Sequence, residues 1–293
     1  MKKITSPLRY PGSKNNLVKY IKKVLDFNEF KPDVLVEPFV GGGSVSLNFL
    51  LNNWVNKVII ADKDRLIYSF WKVVFNDPKC LIKFIKNVDI NVENFCKYKK
   101  IATSKEASNK KFAEACIFLN RTSFSGILKD STGPIGGKKQ NAKYKINCRF
   151  NRKLLIEKIK YISHFKNRVI VLPYGWEKTI RYAEKVKQNN KIFFYFDPPF
   201  YKKGNRLYRH YFNEKEHLEL SKAIKRLKNK WILSYDKAQE IKKMYRIYRG
   251  CIRSGFAFPY SINSPARRME EEYFITPFKK PAKRYLIKDD INF

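Results

Sequence analysis

The chain has 293 residues, and 62 Lys and Arg against 26 Asp and Glu give it a formal net charge of +36. Hydrophobic residues make up 44% and aromatic residues 15%, which excludes a mainly disordered basic tail and indicates a folded protein with a very basic surface. Such a surface repels itself unless a polyanion compensates it. Nucleic acid is the first candidate partner, and a lysine-rich composition with solvated side chains is the alternative.

The cysteines, the histidines and the N-terminus argue against several other classes. The five cysteines include no C-x-x-C pair, so a disulfide scaffold and a zinc site are not expected, and the three histidines form no cluster. Basic residues in MKKITSPLRY are followed by no apolar export segment, and no apolar run is long enough to cross a bilayer. We therefore expect a cytoplasmic protein with no metal and no membrane contact.

The first predicted elements alternate between helix and strand. A helix is predicted over 15–27, and strands over 34–38 and 57–62 are each followed by a helix. The apolar face of the first helix comprises Leu17, Ile21, Val24 and Leu25. This order is typical of the start of a doubly wound parallel sheet.

Residues from about 74 to 165 interrupt this order. Helical stretches there alternate with a loop rich in glycine and lysine, as in an inserted module. Continuous apolar runs at 168–172 and 191–196 then resume the pattern of buried parallel strands. The remaining predicted elements are a helix over 213–229, with Leu218, Ala223, Ile224 and Leu227 inward, and strands over 231–235 and 271–278.

The strongest chemical motif is Asp197-Pro198-Pro199-Phe200, directly after the run at 191–196. In doubly wound sheets, ligands bind beyond the carboxyl ends of the strands. The two prolines stiffen the corner and remove backbone donors, which leaves the Asp197 carboxylate and the Pro198 carbonyl as adjacent acceptors. With an aromatic ring beside them, these acceptors suit a planar base that carries an amino group. A tight structural turn is the alternative.

Three further segments lie where ligand groups are expected. The glycines 41–43 follow the first strand, which is typical of a backbone that a ligand approaches and equally of a simple turn. Asp62 ends the second strand, where a carboxylate can bind both hydroxyls of a ribose, whereas Asp64 fits a helix N-cap better. Ser13 and Lys14 precede the first helix and are placed to hold an anion.

Together these segments resemble the Dam-like, or D12, class of DNA adenine N6-methyltransferases. RYPGSK, VEPFVGGGSV, ADKD, the insert and DPPF stand in the order of that class, and FLNRTSFSG and YKINCRF are similar to its recognition segment. The resemblance implies an α/β, Rossmann-like, S-adenosylmethionine-dependent methyltransferase fold. It implies a catalytic domain at 1–73 and 166–293 and a mostly helical inserted target-recognition domain at 74–165.

The activity that the resemblance implies is site-specific methyl transfer from S-adenosylmethionine to N6 of an adenine flipped out of duplex DNA. An RNA adenine methyltransferase and a non-catalytic nucleic-acid binder are the alternatives. The second alternative rests on Gly175, which stands where the class usually has Asp, with Glu177 as a candidate substitute. Double-stranded DNA is the implied partner and the nucleoid the implied location. A cognate restriction endonuclease and the oligomeric state stay open.

Three groups of site residues are expected. The catalytic group is Asp197, Pro198, Pro199 and Phe200, with Phe200 stacking on the flipped base. The cofactor-binding group, implied by the resemblance, is Tyr10, Lys14, Glu37, Phe39, Gly41, Asp62 and Asp197. The candidate DNA contacts are Arg121, Lys129, Lys138, Lys139, Arg149, Arg152, Lys202 and Lys203.

Overall fold

The computed structural model describes residues 6–9, 14–246, 252–259 and 269–279. The described strands are β1 (Val34–Glu37), β2 (Lys57–Ala61), β3 (Val169–Leu172), β4 (Ile192–Phe196), β5 (Lys230–Asp236), β6 (Ile252–Pro259) and β7 (Met269–Thr276). They form one sheet in the order β3-β2-β1-β4-β5-β7-β6. Neighbours from β3 to β5 are parallel, and β7 runs antiparallel between β5 and β6.

Helices cover both faces of the sheet and form most of the insert. The described α-helices are α1 (Asn15–Phe27), α2 (Ser44–Leu51), α3 (Arg65–Asn76), α4 (Pro78–Asn87), α5 (Val92–Thr103), α6 (Asn109–Thr122), α7 (Arg152–Ser163), α8 (Trp176–Lys185), α9 (Gly204–Leu207), α10 (Glu214–Arg226) and α11 (Gln239–Met244). Within the described ranges, none of them is long and apolar enough to cross a membrane.

The central strands are apolar throughout because both of their faces are covered. All five residues of β4 are buried, and alternate side chains enter different apolar layers. Phe193 and Tyr195 pack on the side of α1–α3, whereas Phe194 and Phe196 pack on the side of α8, α10 and α11. The predicted α/β, Rossmann-like architecture is confirmed.

The insert is continuous with one apolar layer of the sheet. Helix α6 packs against α3, and Phe112 and Phe118 of α6 belong to the same buried cluster as Trp71 of α3. The predicted domain boundary at residue 73 falls inside α3, which extends to Asn76. The described helices of the insert therefore share a core with the helices on that face of the sheet.

Two predictions about the elements were wrong or incomplete. Leu218 is 40% exposed, because the capping box of Asn213 and Glu216 starts α10 in a phase that turns His217 and Leu220 inward. Of the other predicted inward residues, Ile224 is fully buried. Strand β6 was not predicted at all.

Arg152, a predicted DNA contact, serves the fold instead. Its guanidinium donates hydrogen bonds to the carbonyl oxygens of Ile85, Lys86 (3.2 Å) and Val88 (2.6 Å). These oxygens lie at the C-terminus of α4, where carbonyls lack partners within the helix and a cation is favourable. The side chain thus ties α7 to the end of α4.

We predict that Arg152→Ala lowers the free energy of unfolding by about 2 kcal/mol, because it leaves the helix-end carbonyls without their charged donor. Urea unfolding measures the change. The exposed neighbour provides the control, since Lys153→Ala should stay within about 0.5 kcal/mol of wild type. An Arg152→Ala protein with unchanged stability and weakened DNA binding would contradict the structural role.

Candidate active site

A cavity of about 410 Å³ opens at the carboxyl ends of the parallel strands, the edge where such sheets bind ligands. It is bordered by the segments that follow β1, β2, β3 and β4. The predicted cofactor residues that line it are Lys14, Glu37, Phe39, Gly41, Asp62 and Asp197. Tyr10 lies outside the described residues. Side chains far apart in sequence are therefore brought to one cavity.

The glycine turn after β1 is held in place by Trp71. Gly41 and Gly43 adopt left-handed conformations, with φ of 42° and 65°. The Trp71 indole Nε1 donates to the Gly41 carbonyl at 2.9 Å. A Cβ atom at Gly43 would lie 2.9 Å from Cζ2 of the same ring. The turn thus needs glycine at position 43 both for its backbone conformation and for the close approach of Trp71.

Asp62 fixes the same turn from β2. Its carboxylate accepts hydrogen bonds from the backbone N–H of Gly41 at 3.0 Å and of Asp64 at 2.9 Å. Asp64 accepts from the Leu66 N–H and caps α3, as predicted. Burial, reinforced by the negative charge of Asp64, raises the pKa of Asp62 to about 7. A cation bound in the cavity would therefore stabilise the ionised form of Asp62 more than it would stabilise an exposed carboxylate.

Glu37 is a second carboxyl of the cavity with a raised pKa. It is 3% exposed and accepts hydrogen bonds from the backbone N–H and the hydroxyl of Ser46. Burial raises its pKa to about 8, although the Ser46 hydrogen bonds oppose the shift. The group sits directly before the glycine turn, where the charge of a bound ligand would act on it.

The lining of the cavity is acidic although the chain is strongly basic. Its carboxyl groups are Glu37, Asp62, Asp64, Glu177, Asp197, Glu216 and Glu219. Its lysines and arginines are Lys14, Lys63, Lys178 and Arg209. Glu177, the candidate substitute for the Asp missing at Gly175, is thus on the cavity wall together with that glycine. The charge balance favours a cationic ligand.

Asp197 is held by two donors on one oxygen. Its Oδ1 lies 3.1 Å from the Lys14 Nζ and accepts a hydrogen bond from the Ser234 hydroxyl at 2.9 Å. Lys14 also donates to Glu272 at 3.2 Å, so one ammonium serves two carboxylates. Burial raises the pKa of Asp197 to about 6, against the opposing effect of Lys14. The carboxyl is therefore ionised at neutral pH.

The rest of the Asp-Pro-Pro-Phe corner divides between wall and interior. Pro199 lines the cavity with Asp197, whereas Pro198 and Phe200 are buried and absent from its wall. Phe200 is 3% exposed, with the Lys14 Nζ 5.2 Å from its ring centroid and the Tyr208 ring at 5.9 Å. In this conformation the ring is enclosed by Lys14 and Tyr208, so the predicted stacking of Phe200 on a base requires these neighbours to move.

Residues 201–212, here called the cover segment, fold over the corner. Asp236 accepts hydrogen bonds from the backbone N–H of Tyr201 at 2.7 Å and of Lys202 at 3.0 Å, which anchors the start of the segment. Arg209 forms an ion pair with Asp64 at 3.2 Å near its end. The segment is thus tied at both ends to residues of the catalytic part.

The cover segment also contacts the insert and the glycine turn. Arg209 donates to the Ala102 carbonyl at 3.0 Å, and Lys129 donates to the Asn205 carbonyl. The ring of Phe212 packs edge-on against Phe39 at 5.8 Å. Lys129, a predicted DNA contact, therefore holds the cover segment in this conformation.

The other predicted DNA contacts differ in exposure. Lys138, Lys139, Arg149, Lys202 and Lys203 are exposed. Arg121 is half-buried instead, and its guanidinium donates to the Pro7 carbonyl. The structure therefore does not place all eight predicted side chains on an open surface.

Arg9 lies close to two other arginines, Arg121 and Arg149. Asn120 bonds the backbone of Arg9 through two hydrogen bonds, of 2.7 and 2.6 Å. Burial, then the charge of Arg9, lowers the pKa of Arg121 to about 10, and burial with the charge of Arg149 lowers the pKa of Arg9. In the described part of the chain, none of the three arginines forms a salt bridge, and Arg9 Nη1 and Arg121 Nε are buried without a hydrogen bond.

Several residues of the site were missed at the level of sequence. Ser234 is the one small side chain in the strand segment WILSY, and a serine among large buried residues is a signal that could have found it. Trp71 and Phe212 carry no comparable signal, because their contacts with Gly41 and Phe39 depend on how the glycine turn and residues 201–212 fold. In the described ranges, no cluster of three or more His, Cys, Asp or Glu is arranged to hold a metal.

Comparison with known proteins agrees with this geometry. Residues 10–253 match the family model of the D12 class N6 adenine-specific DNA methyltransferases. A type II methyltransferase of Methanocaldococcus jannaschii, M.MjaIII, is 27% identical over 246 residues, covering 75% of this chain and 79% of that protein. A DNA adenine methylase of Haemophilus influenzae is 25% identical over 203 residues, covering 66% of this chain and 63% of that protein.

We predict that Gly43→Ala lowers the free energy of unfolding by about 2 kcal/mol, because the left-handed backbone disfavours a side chain and the Cβ displaces Trp71. Thermal and urea unfolding measure the loss. Gly133→Ala is the matched control, since nothing lies within 4 Å of a Cβ there and stability should be unchanged. Equal stabilities for the two variants would show that Trp71 does not fix the turn.

Proposed function

The chain belongs to the D12 class of N6 adenine-specific DNA methyltransferases, and from that premise we propose that its acidic cavity binds S-adenosylmethionine and that Asp197 orients the adenine amine. The protein methylates adenine in DNA. The observation that carries the proposal is the carboxylate of Asp197, held on the cavity wall by Lys14 and Ser234. The residue roles below are part of the proposal.

The cavity fits the proposed cofactor in charge and shape. S-adenosylmethionine carries a sulfonium and an ammonium group, and the wall of the cavity has more carboxyl groups than basic ones. The backbone of the glycines 41–43 allows a close approach, and Asp62 lies at the end of β2, where ribose hydroxyls bind in such folds. Glu177 also lines the wall, and we assign it to the adenine end of the cofactor. When bound, the cofactor supplies an electrophilic methyl group.

The chemistry asked of Asp197 is to prepare a poor nucleophile. The lone pair of the adenine amine is delocalised into the ring, and a hydrogen bond from that amine to Asp197 favours a more pyramidal nitrogen. The Pro198 carbonyl is the proposed second acceptor. Because the pKa of Asp197 is about 6, its carboxylate is ionised at neutral pH and able to take the proton that the amine loses on methylation. Catalysis is then mainly positioning and electrostatics.

Entry of the base requires the cover segment to move. An adenine inside a duplex must be flipped out before its amine reaches the cavity, at a cost of a few kcal/mol. Tyr208 covers the Phe200 ring, so the flipped base takes the place of Tyr208 if it stacks there. Lys129, which holds Asn205, couples that movement to the insert.

The DNA contacts that we propose fall in two groups. Lys138, Lys139, Lys202 and Lys203 are exposed and suited to phosphates, which fix the register of the duplex without reading sequence. Arg149 is exposed and, like Arg9, has no carboxylate partner among the described residues, and a phosphate would relieve their repulsion. Because the Methanocaldococcus jannaschii relative is named a type II methyltransferase, a cognate restriction endonuclease is the proposed functional partner.

We predict that Asp197→Ala lowers the rate of methyl transfer to duplex DNA by about 10³-fold or more, because the amine loses its acceptor. Transfer of a labelled methyl group measures the rate, and fluorescence anisotropy should show DNA affinity close to that of wild type. The exposed Asp89→Ala is the control, with unchanged activity. Methyl transfer by Asp197→Ala at the wild-type rate would contradict the role assigned to Asp197.

We predict that replacing both Lys138 and Lys139 by Ala weakens DNA binding and reduces the slope of log affinity against log salt by about 2, one for each lost phosphate contact. A salt titration of the dissociation constant measures both effects. Replacing Lys185 and Lys187, at the end of α8, by Ala changes the net charge equally and should leave the slope unchanged. Equal slopes for the two double variants would exclude this surface as a DNA contact.

A further inference from the structure

We propose that Ser234 is a positioning residue for Asp197, and that the buried hydroxyl of Tyr195 orients Ser234 for this task. This inference rests on the proposed function, because it assigns to Asp197 the role of accepting a hydrogen from the adenine amine. It adds a hydrogen-bonded chain, Tyr195 to Ser234 to Asp197, that lies beneath the cavity and touches neither substrate nor cofactor.

The register of the sheet places these three residues together. β4 and β5 are parallel neighbours, with Tyr195 opposite Ile232 and Phe196 opposite Leu233. The next pair in this register is Asp197 with Ser234. Both residues therefore lie at the carboxyl ends of their strands, and their side chains point to the same face of the sheet. Residues two apart in a strand share a face, which puts the Tyr195 ring on the side of Asp197. The pairing is therefore a property of the strands.

The donor of each hydrogen bond between Tyr195, Ser234 and Asp197 can be assigned from chemistry. An ionised carboxylate only accepts, so the single Ser234 hydrogen goes to Asp197 Oδ1, at 2.9 Å. The Tyr195 hydroxyl must then donate to the Ser234 oxygen, at 2.8 Å. Burial raises the pKa of Tyr195 far above its usual range, so its proton is retained. Both hydrogens consequently point toward Asp197.

The hydrogen bond and the ion pair that hold Asp197 fall on the same oxygen. Among the described residues, the Ser234 hydroxyl at 2.9 Å and the Lys14 ammonium at 3.1 Å both contact Oδ1. The other oxygen, Oδ2, is the one that we assign to the adenine amine. Two donors on Oδ1 fix the rotation of the carboxylate and stabilise its ionised form.

Burial sets the expected size of the effect. Tyr195 is fully buried and Ser234 is 1% exposed, so water does not replace a lost hydroxyl easily. Removal of the Ser234 hydroxyl takes away a hydrogen bond that lowers the pKa of Asp197, which therefore rises above its value of about 6. The carboxylate also loses one of its two restraints. Both changes act on the chemical step and leave the DNA surface unaltered.

The experiment compares Ser234→Ala with Thr276→Val in the full-length protein. Thr276 is also buried, and its hydroxyl donates to the Trp231 carbonyl at 2.8 Å, away from Asp197. Both variants lose a buried hydroxyl of neighbouring strands, so a loss of stability alone should affect them alike. Steady-state methyl transfer to duplex DNA is measured from pH 5 to pH 9 for each variant, which gives kcat and the KM for DNA.

We expect Ser234→Ala to lower kcat about 10- to 100-fold with KM for DNA unchanged within about twofold, and to move the acid limb of the kcat profile to higher pH. Thr276→Val should keep the wild-type profile. A Ser234→Ala enzyme with wild-type kcat and an unmoved acid limb would overturn the inference, as would the same profile shift in Thr276→Val.

Asp197→Ala, measured in parallel, separates this inference from the proposed function. If Asp197→Ala is inactive and Ser234→Ala behaves as wild type, only the positioning role of Ser234 fails. If Asp197→Ala transfers methyl groups at the wild-type rate, the proposed function of Asp197 fails first.

Discussion

The ion pair between Lys14 and Asp197 is the interaction on which the arrangement of the site depends. It joins the start of α1 to the corner after β4, and the same ammonium reaches Glu272 on β7. Lys14 and Glu272 are 5% and 3% exposed, so neither charge is held by bulk water. Buried charges persist only with partners and hydrogen bonds, and here one cation pairs with two carboxylates. Asp197 thus stays ionised in a place that would otherwise protonate it.

Hydrogen bonds and ion pairs to buried carboxyl groups also explain how an acidic cavity exists in a chain of net charge +36. The carboxyl groups gather at the carboxyl edge of the sheet, where backbone N–H groups and hydroxyls stabilise them, as with Asp62 and Glu37. Most lysines lie elsewhere on the surface, where they suit a polyanion, and on the cavity wall the carboxyl groups outnumber Lys14, Lys63, Lys178 and Arg209. The proposed function thus assigns a cationic small molecule to the cavity and an anionic polymer to the basic surface. The cover segment borders the cavity and contacts the insert through Lys129.

The amino-acid sequence predicts the parallel strands and the cavity wall well. The strands are apolar runs, and the wall is formed by the residues that follow them. A continuous apolar run such as 191–196 is stable only when it is buried. The residue that follows each such strand therefore lies at the carboxyl edge of the sheet. Asp62 and Asp197 were predicted on that ground. The phase of α10 was missed at Leu218, since the helix start at Asn213 decides which side chains turn inward.

Contacts that depend on the path of a loop or of a long side chain were not predictable. Tyr208 covers Phe200 because residues 201–212 fold back over the corner, and no periodic pattern encodes that path. Arg152 and Arg121 look like DNA contacts in sequence, yet their guanidinium groups bind backbone carbonyls. A flexible basic side chain has several partners within reach, and only the packed chain selects among them.

The most direct test is a crystal structure of the protein with a DNA duplex and the demethylated cofactor product, in which the distance from the Asp197 carboxylate to the amine nitrogen of an extruded adenine is measured. The account predicts hydrogen-bond contact, within about 3.2 Å, made by Oδ2, while Oδ1 keeps Lys14 and Ser234. An extruded base whose amine lies away from Asp197, or a carboxylate turned from the cavity, would contradict it.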